Sequence, residues 1–264
     1  MEHALSLNDL TLGYNNKVIV EGFSCNIKAG KLTALIGPNG CGKSTLLKSV
    51  VKLVSSKGGD ITLASGESTF QLSSKALAQH ISLLPQTPIT PEGVTVKELV
   101  GFGRAPYVNM MGSLNKDDHY YVDQAMKSAN VDAFSDSPVS ALSGGQRQRV
   151  WIAMILAQNT DIVLLDEPTT YLDLSHQYEL LDILVELVER GKTVVVVLHD
   201  LNQACRYADE LIVMKSGKLY IQGESKQVMT ESMLQEVFSL DATIINSPEC
   251  GSAMLIPRKR SNRK

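Results

Sequence analysis

The chain has 264 residues, of which 44% are hydrophobic and 20% are charged, and its formal net charge is −3 at pH 7. This length can bury a sizeable core, and it favours one large domain, or one domain with a subdomain, over two independent domains. The charge excludes a general attraction to nucleic acid, and no apolar run approaches the roughly 20 residues of a membrane-spanning helix.

The start of the chain and its cysteines both indicate the cytosol. Residues 1–10 read MEHALSLNDL and lack the charged region and apolar stretch of a secretion signal. The four cysteines, Cys25, Cys41, Cys205 and Cys250, lie far apart without CxxC spacing or a nearby histidine pair. We therefore expect reduced, structural thiols and no zinc site, with Cys41 set apart because it lies in a glycine-rich loop.

The first part of the chain predicts an antiparallel β layer. The stretches LSLNDLTLGY, KVIVEGFSCNI and GDITLASGE alternate between apolar and polar residues, with turn signals such as NN and GGD. Between them, KLTALIG is apolar on consecutive positions. That pattern is typical of a strand buried on both faces of a parallel sheet.

The loop LIGPNGCGKST, residues 35–45, has the spacing Gly37-x-x-x-x-Gly42-Lys43-Ser44. It follows the strand TALI and precedes an apolar-periodic stretch that predicts a helix over residues 43–52. Glycines let successive backbone N–H groups turn toward one anion at a helix N-terminus. A plain glycine-rich turn is the alternative, but the flanking elements favour a nucleotide polyphosphate. Lys43 would reach the β- and γ-phosphates, and the Ser44 hydroxyl would bind Mg²⁺.

The next buried strand, ISLLPQ, ends at Gln86, and beyond it the strand signal vanishes. From about residue 87 to residue 140 the pattern is helical with loops, including a helix predicted over residues 117–130. We interpret this part as a helical subdomain inserted into an α/β body.

The stretch LSGGQRQRVWIAMILAQ predicts a helix over residues 144–158 with Ser143 as its N-cap. Its first turn, Gly144, Gly145 and Gln146, presents a bare helix N-terminus to an anion. The chain thus has two helix N-termini that are suited to bind phosphate. Since one suffices for its own ATP, the second is available for the nucleotide of another molecule.

The stretch DIVLLDEP predicts a buried strand that ends in Asp166 and Glu167, at the sheet edge where α/β proteins place their ligands. Strands often end in an acidic residue, so Asp166 and Glu167 indicate a catalytic site only in combination with the phosphate loop. We predict that Asp166 holds the magnesium shell, usually through water, and that Glu167 polarises the attacking water. The second carboxylate favours hydrolysis over transfer to a substrate hydroxyl.

A helix over residues 175–189 and the strands TVVVVLHD and ELIVMKSGK complete an alternation that predicts an α/β fold. The tail carries Arg258, Lys259, Arg260, Arg263 and Lys264. We interpret it as a solvated chain end rather than a binding patch.

Taken together, GPNGCGKS, LSGGQ and LLDE resemble the nucleotide-binding subunit of the ABC-type ATPases, whose signature is LSGGQ. The resemblance covers roughly residues 5–240. It implies a P-loop NTPase core with a mainly parallel sheet, an N-terminal antiparallel layer and an inserted helical subdomain. The implied domains are an ABC ATPase domain over residues 1–240, with the subdomain at about 87–160, and a C-terminal extension over residues 241–264.

The resemblance also assigns roles. Tyr14, in LGYNN before the first long strand, matches the aromatic that stacks on adenine, although alone it would be an ordinary strand-end tyrosine. Gln86 matches the glutamine that touches Mg²⁺ and reports the γ-phosphate to the helical subdomain. Asp173 in YLD matches the acid that crosses the dimer interface. His199 in VVLHD matches the switch histidine at the γ-phosphate, where a lone histidine would more often be structural.

Three sets of residues follow from these assignments. The predicted catalytic residues are Lys43, Gln86, Glu167 and His199, and the predicted Mg²⁺ ligands are Ser44, Gln86 and Asp166. The predicted ATP-binding residues are Tyr14, Gly37, Pro38, Asn39, Gly40, Cys41, Gly42, Lys43, Ser44, Thr45, Ser143, Gly144, Gly145, Gln146 and Asp173.

The resemblance implies a head-to-tail pair of chains. Each ATP would lie between residues 37–45 of one chain and residues 143–146 of the other, so that ATP joins the pair and hydrolysis releases it. The implied partners are integral membrane permease subunits and, indirectly, a periplasmic or surface substrate-binding protein, with no nucleic acid. The chain would then be peripheral, on the cytoplasmic face of the inner (plasma) membrane.

The stretch VKELVGFGRAPYVNMMGSL resembles the GRYPH-like segment of ATPases for iron-siderophore, haem and cobalamin import, with departures at Ala105 and Tyr107. LLDEPTTYLDLSHQ and LHDLNQACRYAD look most like ATPases for ferric enterobactin and related catecholate siderophores. Haem or cobalamin import is the alternative.

Three other classes fit the sequence less well. A non-transport ABC ATPase would carry long heptads or two joined domains, and neither is present. A small-molecule P-loop kinase would not need LSGGQ or the histidine switch. A non-catalytic ATP sensor could dispense with Glu167.

Overall fold

The structure is a computed structural model that describes residues 3–108, 113–170 and 172–259. These residues form two compact units, one made by the chain up to Phe70 and from Val195 onward, and the other by Gln71–Val194. The strands are β1 (His3–Tyr14), β2 (Lys17–Lys28), β3 (Leu32–Ile36), β4 (Ser56–Leu63), β5 (Ile81–Leu84), β6 (Ile162–Asp166), β7 (Thr193–Val197), β8 (Glu210–Lys215), β9 (Lys218–Gly223), β10 (Ala242–Asn246) and β11 (Ala253–Pro257). The α-helices are α1 (Lys43–Val50), α2 (Ser74–His80), α3 (Val96–Gly101), α4 (Lys116–Ser128), α5 (Gly144–Gln158), α6 (Leu174–Glu189), α7 (Leu201–Tyr207), α8 (Ser225–Val228) and α9 (Glu231–Phe238).

The first unit contains the antiparallel layer, in the strand order β2-β1-β4. Leu5, Leu7, Leu10 and Leu12 of β1 are buried, while the residues between them are more exposed. The step from Leu7 to Leu10 interrupts strict alternation. The register shifts there, and Asp9 adopts φ 48°, as at a β-bulge.

The same unit contains β3, which pairs with β8 in parallel, and β9, which pairs with β8 in antiparallel fashion. All five residues of β3 are buried. This burial explains why its apolar residues are consecutive rather than alternating. The unit ends in the antiparallel hairpin β10–β11, against which α7 packs.

The second unit places β5 parallel to β6 and adds helices α2 to α6. Between β5 and β6, the described residues form helices and short 3₁₀ turns at Phe102–Arg104, Asp132–Phe134 and Val139–Ala141. Helices α3, α4 and α5 pack on one another. Among the described residues, no helix is both long enough and apolar enough to cross a bilayer.

The predicted α/β fold, with a mainly parallel sheet and an antiparallel N-terminal layer, is confirmed. Helix α5 has the predicted bounds, and α1, α4 and α6 differ from prediction by at most two residues at either end. The subdomain limits at about 87–160 and the boundary at residue 240 stay predictions. One expectation is wrong: Tyr14 does not precede the first long strand but ends it. Arg260, Arg263 and Lys264 of the basic tail, and residues 109–112 of the GRYPH-like segment, lie outside the described residues.

Candidate functional site

The phosphate loop requires glycine at two of its positions. Gly37 has φ +153°, and a Cβ atom there would lie 2.3 Å from the carbonyl oxygen of Met214. Gly42, the N-cap of α1, has φ +108°, and its Cβ would lie 2.9 Å from Val20 Cγ2. A side chain at either position would therefore force the loop away from its neighbours. The loop is held between β3 and α1 as the sequence predicted.

Lys43 is buried at the first position of α1. Its ammonium donates hydrogen bonds to the carbonyl oxygens of Gly37, at 2.8 Å, and Pro38, at 3.2 Å. These contacts fold the side chain over the loop that the sequence assigns to the phosphates. Cys41 is also buried, and this burial raises the pKa of its thiol despite the nearby positive charge of Lys43. The thiol of Cys41 is thus kept neutral beside the loop.

Tyr14 and His199 also belong to the first unit. Tyr14 ends β1, pairs with Lys17 across the turn to β2, and has an exposed fraction of 49%. An exposed ring at a strand end is available to stack on a base. His199 is exposed and follows Leu198, whose backbone N–H donates to the Leu35 carbonyl at 3.4 Å. His199 therefore follows a segment bonded to the end of β3, the strand that leads into the phosphate loop.

In the second unit, Gln86 and Glu167 are in contact. The amide nitrogen of Gln86 donates a hydrogen bond to Glu167 Oε2. The strand register explains the contact, because Leu84 of β5 pairs with Leu165 of β6 and each functional residue follows two positions later. The amide oxygen of Gln86 is an acceptor and does not take part in this bond. Two residues that the sequence assigns to one reaction are thus brought together.

Glu167 adopts φ +54°, a left-handed conformation that is uncommon for a residue other than glycine. The turn is closed by a hydrogen bond from the Thr170 backbone N–H to the Glu167 carbonyl, at 3.2 Å. Such strain persists where the surrounding structure fixes it, and it occurs often at active sites. Asp166, the last residue of β6, is 1% exposed.

The predicted Mg²⁺ ligands have suitable chemistry. Ser44, Gln86 and Asp166 offer a hydroxyl, an amide and a carboxylate oxygen, and Mg²⁺ prefers oxygen ligands. Mg²⁺ is usually held by one or two carboxylates together with water and substrate phosphates. Within the described residues, no three His, Cys, Asp or Glu side chains form a cluster that could hold a metal ion. The set fits an ion that arrives with a nucleotide.

Helix α5 begins as the sequence predicted. The Ser143 hydroxyl accepts a hydrogen bond from the Gln146 backbone N–H at 3.3 Å, and the Gln146 side chain accepts from the Ser143 N–H at 2.9 Å. This reciprocal capping box fixes the first turn. A Cβ atom on Gly144 would meet no atom within 4 Å. Gly144 also lines a cavity of about 310 Å³ together with Gln86 and Thr170.

Asp173 is the N-cap of α6 and accepts a hydrogen bond from the His176 backbone N–H at 3.3 Å. Its carboxylate also contacts Nδ1 of the His176 ring. Two hydrogen bonds hold the pKa of Asp173 below its usual value. The bond from the His176 ring has the larger effect, and the bond from the His176 backbone N–H has the smaller one. The carboxylate therefore stays ionised. The sequence motifs give no role to His176, because a polar residue on a helix surface carries no signal without its contacts.

The site residues are divided between the two units. The loop of residues 37–45 lies in the first unit with Tyr14 and His199, and the second unit contains Gln86, Asp166, Glu167, residues 143–146 and Asp173. Direct contacts join Lys43 to Gly37 and Pro38 in the first unit, and Gln86 to Glu167 in the second. Their catalytic and binding roles stay predictions.

Comparison with known families gives a match to the ABC transporter model over residues 20–170, more than half of the chain. Three curated relatives are each 46% identical. They are the achromobactin transport ATP-binding protein CbrD of Dickeya dadantii (255 residues, 96% of this chain and 94% of the relative), the iron(3+)-hydroxamate import ATP-binding protein FhuC of Bacillus subtilis (247 residues, 93% and 91%), and the ferric enterobactin transport ATP-binding protein FepC of Escherichia coli (253 residues, 96% and 93%).

Solved structures agree with these matches. A chain described as part of a metal-chelate type ABC transporter in an inward-facing conformation superposes with a TM-score of 0.84. It is 27% identical, and the match covers 98% of this chain and 99% of that one. The dimeric structure of the bacterial ABC transporter cassette MJ0796 superposes with a TM-score of 0.74 at 29% identity, covering 83% and 98%.

Proposed function

Because the chain belongs to the ABC transporter family, as an ATP-binding subunit that hydrolyses ATP, we propose that it drives the uptake of an iron-siderophore complex through a membrane permease. The contact between Gln86 and Glu167 is the structural observation that carries the catalytic part of the proposal. It joins the residue predicted to sense the γ-phosphate to the residue predicted to activate water.

In the proposed reaction, the loop of residues 37–45 and the Lys43 ammonium bind the phosphates of ATP, and Tyr14 stacks on the adenine. Glu167 aligns the attacking water and accepts its proton as the water oxygen bonds to the γ-phosphorus and ADP leaves, while His199 contacts the γ-phosphate. Ser44, Gln86 and Asp166 would hold Mg²⁺. When bound, this ion neutralises charge on the phosphate oxygens. Gln86 can serve both roles, because its amide nitrogen donates to Glu167 while its oxygen remains an acceptor.

The proposal includes a head-to-tail dimer with shared nucleotides. Helix α5 presents its capped N-terminus, with Ser143 and the backbone of Gly144 and Gly145, to the ATP bound by the partner's loop. The dimeric cassette structure with a TM-score of 0.74 supports pairing as a property of this fold. In this arrangement ATP closes the pair, and hydrolysis opens it.

We also propose where the permease docks. A cavity of about 580 Å³ in the second unit is lined by apolar residues of α3, α4 and their connection, including Phe102, Val108 and Leu114. Phe102 has an exposed fraction of 51% and adds an aromatic ring to this apolar surface. Lys97, Glu98 and His119 also line the cavity and add polar groups to this apolar surface. A groove of this kind fits an amphipathic helix, here one from a cytoplasmic loop of the permease. This contact would hold the chain at the cytoplasmic face of the membrane.

The cargo is proposed from the relatives. Three proteins with the same identity to this chain are named for achromobactin, hydroxamate and enterobactin transport, so their common cargo class is the iron-siderophore complex. Within this class, the segments LLDEPTTYLDLSHQ and LHDLNQACRYAD favour a catecholate. An ATP-binding subunit acts on its permease rather than on the cargo, and a substrate-binding protein would deliver the cargo to that permease.

Replacing Glu167 by Gln tests the catalytic proposal. The amide keeps the size of the side chain but cannot accept a proton from water, so we expect ATP to stay bound and to hold two chains together. Light scattering with ATP and Mg²⁺ should give twice the monomer mass, and hydrolysis should fall by about 10²-fold or more. A variant that remains monomeric with saturating ATP would contradict the shared site.

The cargo proposal is tested by deleting the gene in its own host and measuring uptake of radioactive iron. We expect uptake of the ferric catecholate complex to be lost, and to return with the wild-type gene but not with the Glu167→Gln allele. Unchanged iron uptake together with lost haem or cobalamin uptake would favour the alternative cargo.

A further inference from the structure

We propose that His176 is a positioning residue for the shared nucleotide site, because one imidazole ring bonds to Asp173 and lies beside Gly145, the two groups that this chain would present to its partner. The inference rests on the proposed function, since Asp173 and the signature turn act on the partner in that account. His176 has no role in the sequence motifs. Its position follows only from the contacts in the second unit.

The first contact is with Asp173. Nδ1 of His176 bonds to Asp173 Oδ1, which also accepts from the His176 backbone N–H at 3.3 Å and from the Ser175 hydroxyl at 3.5 Å. Of the described residues, none donates to Oδ2. For Nδ1 to donate, it must carry a proton, either in the neutral Nδ1–H tautomer or in the imidazolium. The ring thus fixes the carboxylate through Oδ1, and Oδ2 has no donor among the described residues.

The ring also lies beside the signature turn. A Cβ atom added to Gly145 would be in ordinary van der Waals contact with the ring, 3.7 Å from His176 Nδ1 and 3.9 Å from His176 Cγ. The ring therefore borders the space next to the second residue of α5. Rotation of the His176 side chain would open this space and break the hydrogen bond to Asp173.

The surroundings keep His176 in this place. Arg149 of α5 forms an ion pair with Glu179 of α6, one turn beyond the histidine. Gln148 of α5 donates from its amide nitrogen to the Pro168 carbonyl at 3.0 Å, and Gln177 donates to the Leu172 carbonyl at 2.9 Å. Helix α5, the loop before α6 and α6 itself are thus joined by these side-chain contacts.

A prearranged carboxylate and signature turn lose less conformational freedom when the pair closes. Without the ring, Asp173 keeps its cap bond to the His176 backbone but can rotate, and Gly145 loses its neighbour. We therefore expect His176 to affect ATP-dependent pairing and not the binding of ATP by a single chain. Its side chain is 37% exposed and therefore mostly covered, so the replacements are chosen to keep a similar size.

The test compares three replacements in the Glu167→Gln background. His176→Leu removes the donor, His176→Asn places an amide nitrogen where Nδ1 lies, and His176→Gln places it one bond farther, where it corresponds to Nε2. We expect Leu and Gln to weaken ATP-dependent dimerisation about tenfold, by sedimentation over a concentration series, and Asn to restore most of it. Binding of a fluorescent ATP analogue to dilute monomer, and the melting temperature, should be unchanged in all three.

Asp173→Ala supplies the matched control. If His176 acts through Asp173, His176→Leu should weaken dimerisation less in the Asp173→Ala chain than in a chain that keeps Asp173. Equal dimerisation of the His176→Leu variant and its parent, or the same loss with Asn as with Leu, would overturn the inference. If the Glu167→Gln parent itself fails to pair with ATP, the shared site is overturned and this inference with it.

Discussion

Lys43 illustrates how a single residue combines structural and functional demands. It is buried at the start of α1, and its ammonium is bonded to two carbonyls of the loop that precedes it. A buried ammonium requires such partners, because taking a charge out of water without them is costly. Phosphate oxygens would be stronger partners, since they carry full negative charge. The residue is thus oriented before any nucleotide arrives.

We expect Lys43→Ala to reduce ATP hydrolysis by about 10²-fold or more, because the charge that would stabilise the transferred phosphoryl group is lost. Phosphate release under saturating ATP is the measurement. Lys48→Ala, in the last turn of the same helix, is the matched control and should hydrolyse ATP like the wild type. Unchanged turnover in Lys43→Ala would show that the loop does not bind the phosphates.

At the scale of elements, the sequence was most informative where local chemistry determines structure. The sequence predicts Ser143 as an N-cap, and helix α5 begins directly after it, with a capping box to Gln146 that was not predicted. The consecutive apolar residues of β3 and β6 likewise predicted strands that are fully buried. The contact of Gln86 with Glu167 could not be predicted from residue types, since it depends on the pairing of Leu84 with Leu165.

The C-terminal hairpin and Arg104 show the same limit. Strands β10 and β11 are held in part by Asn202 of α7, which exchanges two hydrogen bonds with the backbone of Leu255 from 53 positions away.

Arg104 is buried and bonded to Asp118 of α4 at 2.9 Å and to the Ala157 carbonyl at 2.8 Å. Its guanidinium also lies over the rings of Tyr107 and Tyr121. Such partners become known only when distant segments are brought together.

Asp118→Asn should destabilise the helical part of the second unit by about 3–5 kcal/mol at neutral pH, because it leaves the buried Arg104 charge uncompensated. Asp123→Asn on the same helix is the matched control. Asp123 forms an ion pair with Lys97, and both side chains are nearly half exposed. Loss of this ion pair should lower the free energy of unfolding by about 1 kcal/mol or less. Urea unfolding of the variants, followed by circular dichroism, measures the difference.

The pH dependence of this difference has a defined sign. Burial alone would raise the pKa of Asp118, but hydrogen bonds from the Asn115 backbone and from Arg104 outweigh it and hold the pKa below its usual value. A carboxyl with a lowered pKa contributes its full stability above its unfolded pKa, roughly 3.9, and loses it as the pH falls through the folded value. The difference in free energy of unfolding between wild type and Asp118→Asn should therefore become smaller as the pH falls. Equal stability of the two proteins at neutral pH would contradict the role of this ion pair.

For the whole molecule, the division of the site residues matters most. The phosphate loop belongs to one compact unit, and the signature turn and Asp173 belong to the other. In the proposed dimer, the loop binds a chain's own nucleotide and the signature turn binds the nucleotide of its partner. Two chains then complete two sites together, and closure of the pair is the step that a permease can use.

A structure of the Glu167→Gln variant with ATP and Mg²⁺ tests this claim most directly. We predict two chains related by a two-fold axis, with the Ser143 hydroxyl of one about 3 Å from a γ-phosphate oxygen bound by Lys43 of the other. The account would be contradicted by a structure in which Ser143 faces solvent, or in which it bonds to the nucleotide held by Lys43 of its own chain.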